Sequence, residues 1–432
     1  MKKSIAFILA LATAIGTLFG CLSPATPADS VQTKDSRHTK TETADVKTLS
    51  YGIDLSSFDE KFIGFIDGRL ENKSYMISPL SFRYALGLLL PGAVGETKAE
   101  LMAALGTESE EEWEKVCIIF NGFAQQYNAS VDAERQQFEQ DTAKGYYPEG
   151  TVFSERGLNV ANSVWKREDL PDFKQNYKDK ISRLYDSEYK TFNCDNVIEN
   201  VNTWASDKTK GLIPELLPKN YDISGLAIIL MNALYFKDSW AKEFEKYATV
   251  KKDFTTFDGS TVSKDFMTQT SDYLYYSDEN TQLVILPMKD GVYMTFVIGD
   301  TSDLGRKTAS AERKTVKVTI PKIDLETSLT NKELCDFLVE NGVSLAFSGS
   351  ADFSDMTDCA VCIGDIIQKT KIKLNENGVE AAAVTAILMD ECTAVEEFSE
   401  VIEFTADRPF SFYIYTTADT VTEMMFSGKI VD

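Results

Sequence analysis

The chain has 432 residues, 43% of them hydrophobic and 26% charged, which is enough apolar content for one large domain or two smaller ones and not the composition of a disordered chain. Its 67 acidic residues against 44 basic ones leave a formal net charge of -23. That balance argues against nucleic acid or an anionic lipid surface as a partner, because phosphate binding needs concentrated Lys and Arg.

At the N-terminus, Lys2 and Lys3 precede an apolar run from Ile5 to Phe19. The run reads as a secretory signal, too short and wrongly flanked for a membrane-spanning helix. It ends in LFGC, Leu18 to Cys21, which resembles the bacterial lipoprotein box. The resemblance implies cleavage before Cys21 and a lipid on its sulfur, and an ordinary signal peptide is the alternative. Residues 22–50 are rich in Ser, Thr, Asp and Lys and cannot bury enough surface to fold, so they read as a tether. The rest, residues 51–432, reads as one domain.

Leu55, Phe58, Phe62, Phe65, Ile66 and Leu70 recur at three and four residues, the pattern of an amphipathic first helix. In ISPLSF, Ser78 can cap the next helix while Pro79 takes its first turn, where a missing N–H costs nothing. Further helices are predicted at 97–105, at 110 to about 130, at 172–184 and at 197–210, with 132–150 as a polar surface excursion. The run LAIILMNALYF, 226–236, predicts a central strand buried on both faces, within which Asn232 is an amide that demands partners and ties neighbouring strands together. Strands are also predicted at 282–287, 293–298, 316–320, 361–373 and 411–415. Thr330 and Glu333 form a capping box for a helix reaching Asn341. Helices first and then mostly strands predict an α+β fold with large sheets.

The chemistry-bearing residues are few. The single histidine, His38, falls in the tether, so Ser-His-Asp and Cys-His catalysis lack the rigidly held imidazole they need. No dinucleotide-binding or phosphate-binding glycine loop is present. Six cysteines fall in the folded part, at 117, 194, 335, 359, 362 and 392. Their scattered spacing predicts buried free thiols rather than disulfides or a zinc site, and neither a metal nor a cofactor is expected.

Near the C-terminus, NENGVEAAAVTAILMDECTAVEEF, 375–398, contains no glycine or proline from Val379 to Glu397, so nothing in it forbids a long strand. At strand period Val379, Ala381, Ala383, Thr385, Ile387 and Met389 share an uncharged face, while Glu380, Ala382, Val384, Ala386, Leu388 and Asp390 share the other. The acidic tip that follows reads as exposed loop, so the segment is suited to both states.

Seven motifs in order carry a family resemblance: SPLSF with GAVGET, ANSVW at 161–165, VNTWASDKTKGLI at 201–213, MNALYFKDSW at 231–240, ADFSDM at 351–356, NENGVEAAAVTA at 375–386 and FTADRPFSFYIY at 404–415. Over residues 52–432 the chain resembles the serpins, protease inhibitors that work by changing shape. The resemblance implies three β-sheets, eight or nine helices and an exposed reactive-centre loop at about 376–403. A target serine protease cleaves that loop, and the freed segment then enters the largest sheet with the acylated protease attached. The implied hinge is Glu376, Gly378, Val379, Glu380, Ala381, Ala382, Ala383, Val384 and Thr385. The region where the sheet opens is implied at Ser78, Pro79, Ser81, Asn232, Trp240, Gln368 and Lys369.

Counting about sixteen residues on from Glu376 puts the scissile bond at Cys392–Thr393, and an insertion of that length spans about 50 Å at the usual strand rise. No basic residue lies between Lys373 and Arg408, so elastase-, chymotrypsin- or subtilisin-like targets are expected rather than trypsin-like ones. A noninhibitory binding protein of the same fold, or inhibition of cysteine proteases, is the alternative. A monomer that contacts a membrane only through Cys21, on the extracellular or periplasmic face of a bacterial cell, or is released, is expected. Two departures stand out. Gln368 takes the place of the family's usual histidine, so the polar contact beneath the sheet is either made differently or absent, and residues 299–315 are shorter than the pattern, reducing surface helices.

Overall fold

The computed structural model describes residues 52–432 apart from 224, 330, 365, 380–400, 419 and 420. Outside the described residues lie the signal segment with Cys21, the tether 22–50, Thr330, hinge residues Glu380 to Thr385, and the Cys392–Thr393 bond. Ser50–Asp432 forms one compact unit.

Eight α-helices occur among the described residues: α1 Ser57–Arg69, α2 Pro79–Gly87, α3 Gly95–Leu105, α4 Glu110–Ala143, α5 Gln175–Tyr185, α6 Val197–Lys208, α7 Leu304–Ala309 and α8 Asn331–Glu340. Local chemistry sets their starts. Ser56 and Asp59 form a reciprocal capping box for α1. Ser78 Oγ accepts from the Ser81 amide at the start of α2, with Pro79 in the first turn. Ser109 caps α4, whose first turn holds Glu110, Glu111 and Glu112 against the positive end of the helix dipole.

α4 runs on through the stretch expected as a surface excursion. Residues 134–140, ERQQFEQ, hold good helix formers and neither glycine nor proline. Phe138 anchors the extra turns against Tyr147 and Phe153, with ring centroids 4.8 and 5.7 Å apart, and the chain reverses at Gly145, whose φ of +78° suits glycine.

The strands are β1 Tyr75–Ile77, β2 Gly157–Arg167, β3 Glu188–Phe192, β4 Ile228–Ser239, β5 Val250–Thr255, β6 Thr261–Ser277, β7 Thr281–Pro287, β8 Val292–Gly299, β9 Glu312–Pro321, β10 Ile323–Leu329, β11 Gln368–Asn375, β12 Gly378–Val379, β13 Ile402–Thr405, β14 Phe410–Ala418 and β15 Val421–Ile430. One sheet has the order β10-β11-β12-β4-β2-β3. The other runs β1-β15-β14-β8-β7-β6-β9-β13, with β5 on β6. The first part of β6 pairs with β5 and its end with β7, while β9 runs along its middle. The three sheets expected from the resemblance are therefore present as two hydrogen-bonded sets, because one long strand serves both parts of the larger set.

Two sequence expectations are corrected. The strand expected from Val361 begins only at Gln368, because its partner β10 ends there, at Leu329. Of the thiols expected to be buried, Cys117 is, whereas Cys194 and Cys362 are exposed and Cys335 and Cys359 half-buried. Cys194 follows a short edge strand, and Cys362 precedes β11 outside any ladder. The core between the sheets and helices is aromatic. Phe58, Phe62, Phe82 and Phe337 meet with centroids 4.9 to 6.0 Å apart, each such pair adding about 0.5–1.5 kcal/mol beyond area burial.

Candidate functional site

Among the described residues, β4 and β11 are joined only through β12, which is antiparallel to both. Gly378 stands opposite Asn375 and Ser239, and Val379 opposite Leu374 and Asp238. β12 is thus a two-residue strand lodged at the C-terminal ends of both neighbours. Gly378 is required there on two counts. Its φ is +143°, and a Cβ would fall 2.1 Å from the Asp238 carbonyl oxygen, closer than any side chain tolerates. Val379 is 4% exposed and belongs to the main core.

The residues before β12 are clasped from the segment after β4. Trp240 N–H donates to the Asn377 carbonyl at 3.1 Å and its indole N–H to the Asn375 carbonyl at 3.1 Å. Phe244 N–H donates to the Glu376 carbonyl at 2.9 Å, and Asn377 Nδ2 donates to Glu243 at 2.6 Å. The Glu376 carboxylate, 5% exposed as a residue, accepts from Thr249 at 2.6 Å and pairs with Lys322 at 2.7 Å. Burial works against its charge, but Lys322 and Thr249 outweigh burial and hold its pKa below the usual carboxylate value.

Away from β12 a narrow cavity of about 20 Å³ lies between β4 and β11, touched by Ser78, Ser81, Asn232, Gln368 and Thr370. Its floor is a continuous hydrogen-bond chain. Ser78 N–H donates to Gln368 Oε1 at 3.1 Å, and Gln368 Nε2 returns a bond to the Ser78 carbonyl at 2.9 Å. Gln368 therefore makes, by a two-point amide contact, the polar link left open by the missing histidine. Ser78 Oγ donates to the Met425 carbonyl at 2.8 Å. Ser81 Oγ donates to Asn232 Oδ1, Asn232 Nδ2 to Asn162 Oδ1 at 2.7 Å, and Asn162 Nδ2 to the Tyr185 carbonyl at 2.9 Å. Asn232 thus ties β4 to α2 and to β2. Lys369 instead pairs with Glu326 on β10 at 2.9 Å.

A second cluster backs β4 where β12 docks. Arg156, immediately before β2, reaches Asp238 at 3.3 Å, Asp290 at 2.6 Å and Glu134 of α4 at 2.8 Å, with its side chain 1% exposed. Burial pushes the Asp238 carboxyl up to about 7, with Tyr127 and Arg156 pulling the other way. Glu243, Asn377, Arg156 and Asp238 escape a sequence reading. Asn377 and Asp238 lie inside motifs, but nothing in those motifs says which residue faces which. Asn162 in ANSVW, in register with Asn232, is the one partner that the demand of Asn232 for a bond makes findable.

A mixed α+β fold in which a two-residue strand leads from a clasped turn into the middle of a sheet is the architecture the serpin resemblance implies. Residues 65–432 match the family model described as Serpin (serine protease inhibitor), and the chain belongs to the serpin family, one of protease inhibitors rather than enzymes. It is 27% identical over 387 residues to Serpin-ZX of Arabidopsis thaliana, covering 84% of this chain and 93% of that one. It is 30% identical over 300 residues to a serpin-like protein of Methanosarcina acetivorans, covering 65% and 69%. The fold is similar to that of the thermophilic serpin Tengpin in its native state, with a TM-score of 0.67 and 24% identity over 88% of this chain and 96% of that one. It is equally similar to thyroxine-binding globulin in complex with thyroxine, at 0.67 and 21% over 87% and 97%.

Proposed function

We propose that this chain inhibits serine proteases as a suicide substrate. The protease serine attacks the Cys392 carbonyl, the Thr393 amine leaves, and the segment behind Cys392 enters between β4 and β11 while still esterified to the enzyme. The observation that carries this reading is β12, a hinge already lodged between those two strands and continuous in sequence with an Ala-rich segment that, at strand period, has one uncharged face. Glycine at 378 and the buried Val379 are what strand entry demands, because a packed sheet accepts small apolar side chains and rejects charge. The absence of Lys and Arg from 374–407 points the inhibitor at elastase-, chymotrypsin- or subtilisin-like enzymes. We also propose export through residues 1–21 and a lipid on Cys21 that holds the domain at the cell surface.

Incubating the purified protein with elastase, chymotrypsin, subtilisin and trypsin and resolving the products on an SDS gel tests the reading. An SDS-stable adduct with one of the first three, together with a released C-terminal peptide starting at Thr393, is the expected outcome. A loop cut by elastase, chymotrypsin or subtilisin with no adduct assigns the chain to the noninhibitory members of the fold. A peptide starting at Asp390 or Cys392 moves the bond and with it the specificity.

A further inference from the structure

The extension of α4 does more than lengthen a helix. Together with the loop that returns to β2 it roofs a cleft of about 870 Å³, whose other wall is the 241–248 segment and β6. That volume is in the range of small-molecule sites. Phe138, Tyr147 and Phe153 supply an aromatic side, already packed on one another. Opposite them Gln269 of β6 is nine-tenths buried. Its Nε2 donates to the Lys242 carbonyl at 3.2 Å, but its Oε1 is buried without a partner, as is Ser154 Oγ on the loop. A buried acceptor left empty costs about 1–3 kcal/mol, which a donor-bearing guest removes.

The lining balances Glu134, Glu243 and Glu245 against Arg156, Lys242 and Lys289, and Asp290, paired with Arg156 at 2.6 Å from behind, tips the balance toward negative charge. The cations are also occupied: Arg156 by its carboxylates, Lys289 by Glu134 at 3.7 Å, and Lys242 by the Thr270 carbonyl at 3.0 Å. An anion there has to compete with these existing contacts.

We propose that this cleft is a binding site for a small organic cation with an aromatic body, its ammonium donating to Gln269 Oε1 and its ring lying against Phe138, Tyr147 and Phe153. Aromatic stacking acts on the ring side of such a guest, and the carboxylates of the cleft act on its ammonium. The wall it touches, 241–248, is the segment that clasps Glu376 and Asn377.

Calorimetric titration of the intact protein with tryptamine, and separately with indole-3-propionate, tests the site, since the two probes share a ring and differ in the sign of the chain. Expected are saturable one-to-one binding of tryptamine and at least about tenfold weaker binding of the carboxylate. Gln269→Leu weakens tryptamine binding by about tenfold, as loss of one buried hydrogen bond does. Val152→Trp, at a lining position 62% exposed where a larger side chain leaves the fold intact, crowds the cleft and also weakens binding. Absence of saturation, equal affinity for the two probes, or unchanged binding by Val152→Trp overturns the proposal. The readout is binding alone, so its result is independent of whether the protein traps a protease.

Discussion

Gly378→Ala is the smallest change that tests how β12 is seated. The added methyl meets the Asp238 carbonyl oxygen at 2.1 Å and the Ser239 Cα at 2.7 Å, both backbone atoms of β4 that cannot rotate away, and the residue must hold a φ of +143°. Forcing that backbone conformation on a residue with a Cβ costs about 1–3 kcal/mol. If the chain relieves the clash by leaving the sheet, it loses the burial of Val379, which is worth about 1.5–3 kcal/mol. Either route leads to a loss of about 1–3 kcal/mol, larger than the roughly 0.5 kcal/mol of an ordinary surface substitution. Urea unfolding followed by tryptophan fluorescence reads it: Trp240, which donates to the Asn375 carbonyl beside the strand, is one of four tryptophans. The midpoint is expected to fall with little change in slope. Limited proteolysis of the native protein is expected to find the 376–379 stretch newly susceptible. A variant within about 0.5 kcal/mol of the parent, with an unchanged proteolytic pattern, refutes the close approach at Gly378 and the lodging of β12 with it.

Gln368→Leu removes both hydrogen bonds to Ser78 and strands the buried Ser78 N–H, while the Ser78 carbonyl keeps the Phe82 N–H at 3.2 Å. The expected loss is about 1–3 kcal/mol in urea unfolding, from one buried donor left unsatisfied, and a loss under about 0.5 kcal/mol shows that the amide contact carries no weight. Asp238 predicts a pH dependence: with its carboxyl raised to about 7 from about 4 in the unfolded chain, the folded state binds the extra proton. Its contribution is full below about pH 4 and is lost as pH rises through about 7. Subtracting the stability–pH profile of Asp238→Asn isolates that slope from the other carboxylates, and a difference profile flat between pH 4 and 7 contradicts the burial argument.

The helices and the buried middle of β4 are legible because burial leaves a periodic trace. Phe58, Phe62 and Ile66 recur at helical spacing, and 226–236 is apolar but for Asn232. Capping at Ser78 and Pro79 is equally local. The long hairpin strands β5 and β6 are not legible, since VKKDFT and TVSKDFMTQTSDYLYYS are polar and half-exposed and their pairing is decided across the sheet. The extension of α4 is missed for the opposite reason: its polar surface imitates a loop, and what holds it down, Phe138 on Tyr147 and Phe153 and Glu134 on Arg156, comes from later in the chain. At the site, small residues from 378 onward announce that something must fit closely, but the atom they fit against, the Asp238 carbonyl, has no signature of its own. The clasp of Glu376 by Lys322 and Thr249 joins residues more than fifty positions apart whose charges, in a chain this acidic, suggest no particular pairing.

The lodging of β12 also bears on how a strand would grow. Adding a strand to a sheet is costly at its first residues, which must be ordered before any ladder rewards them, and cheaper at each residue after. With Gly378 opposite Ser239 and Val379 opposite Leu374, that nucleus exists before any bond is cut, so in the trapping reaction proposed above, entry of the loop is elongation alone. The nucleus also settles alignment. Side chains alternate strictly along a strand, and a slip of one residue would exchange the two faces; in that proposed reaction, Val379 in the core would commit Ala381, Ala383 and Thr385 to follow it inward and Glu380 to face out. Speed and fidelity of the proposed insertion would then both rest on two residues.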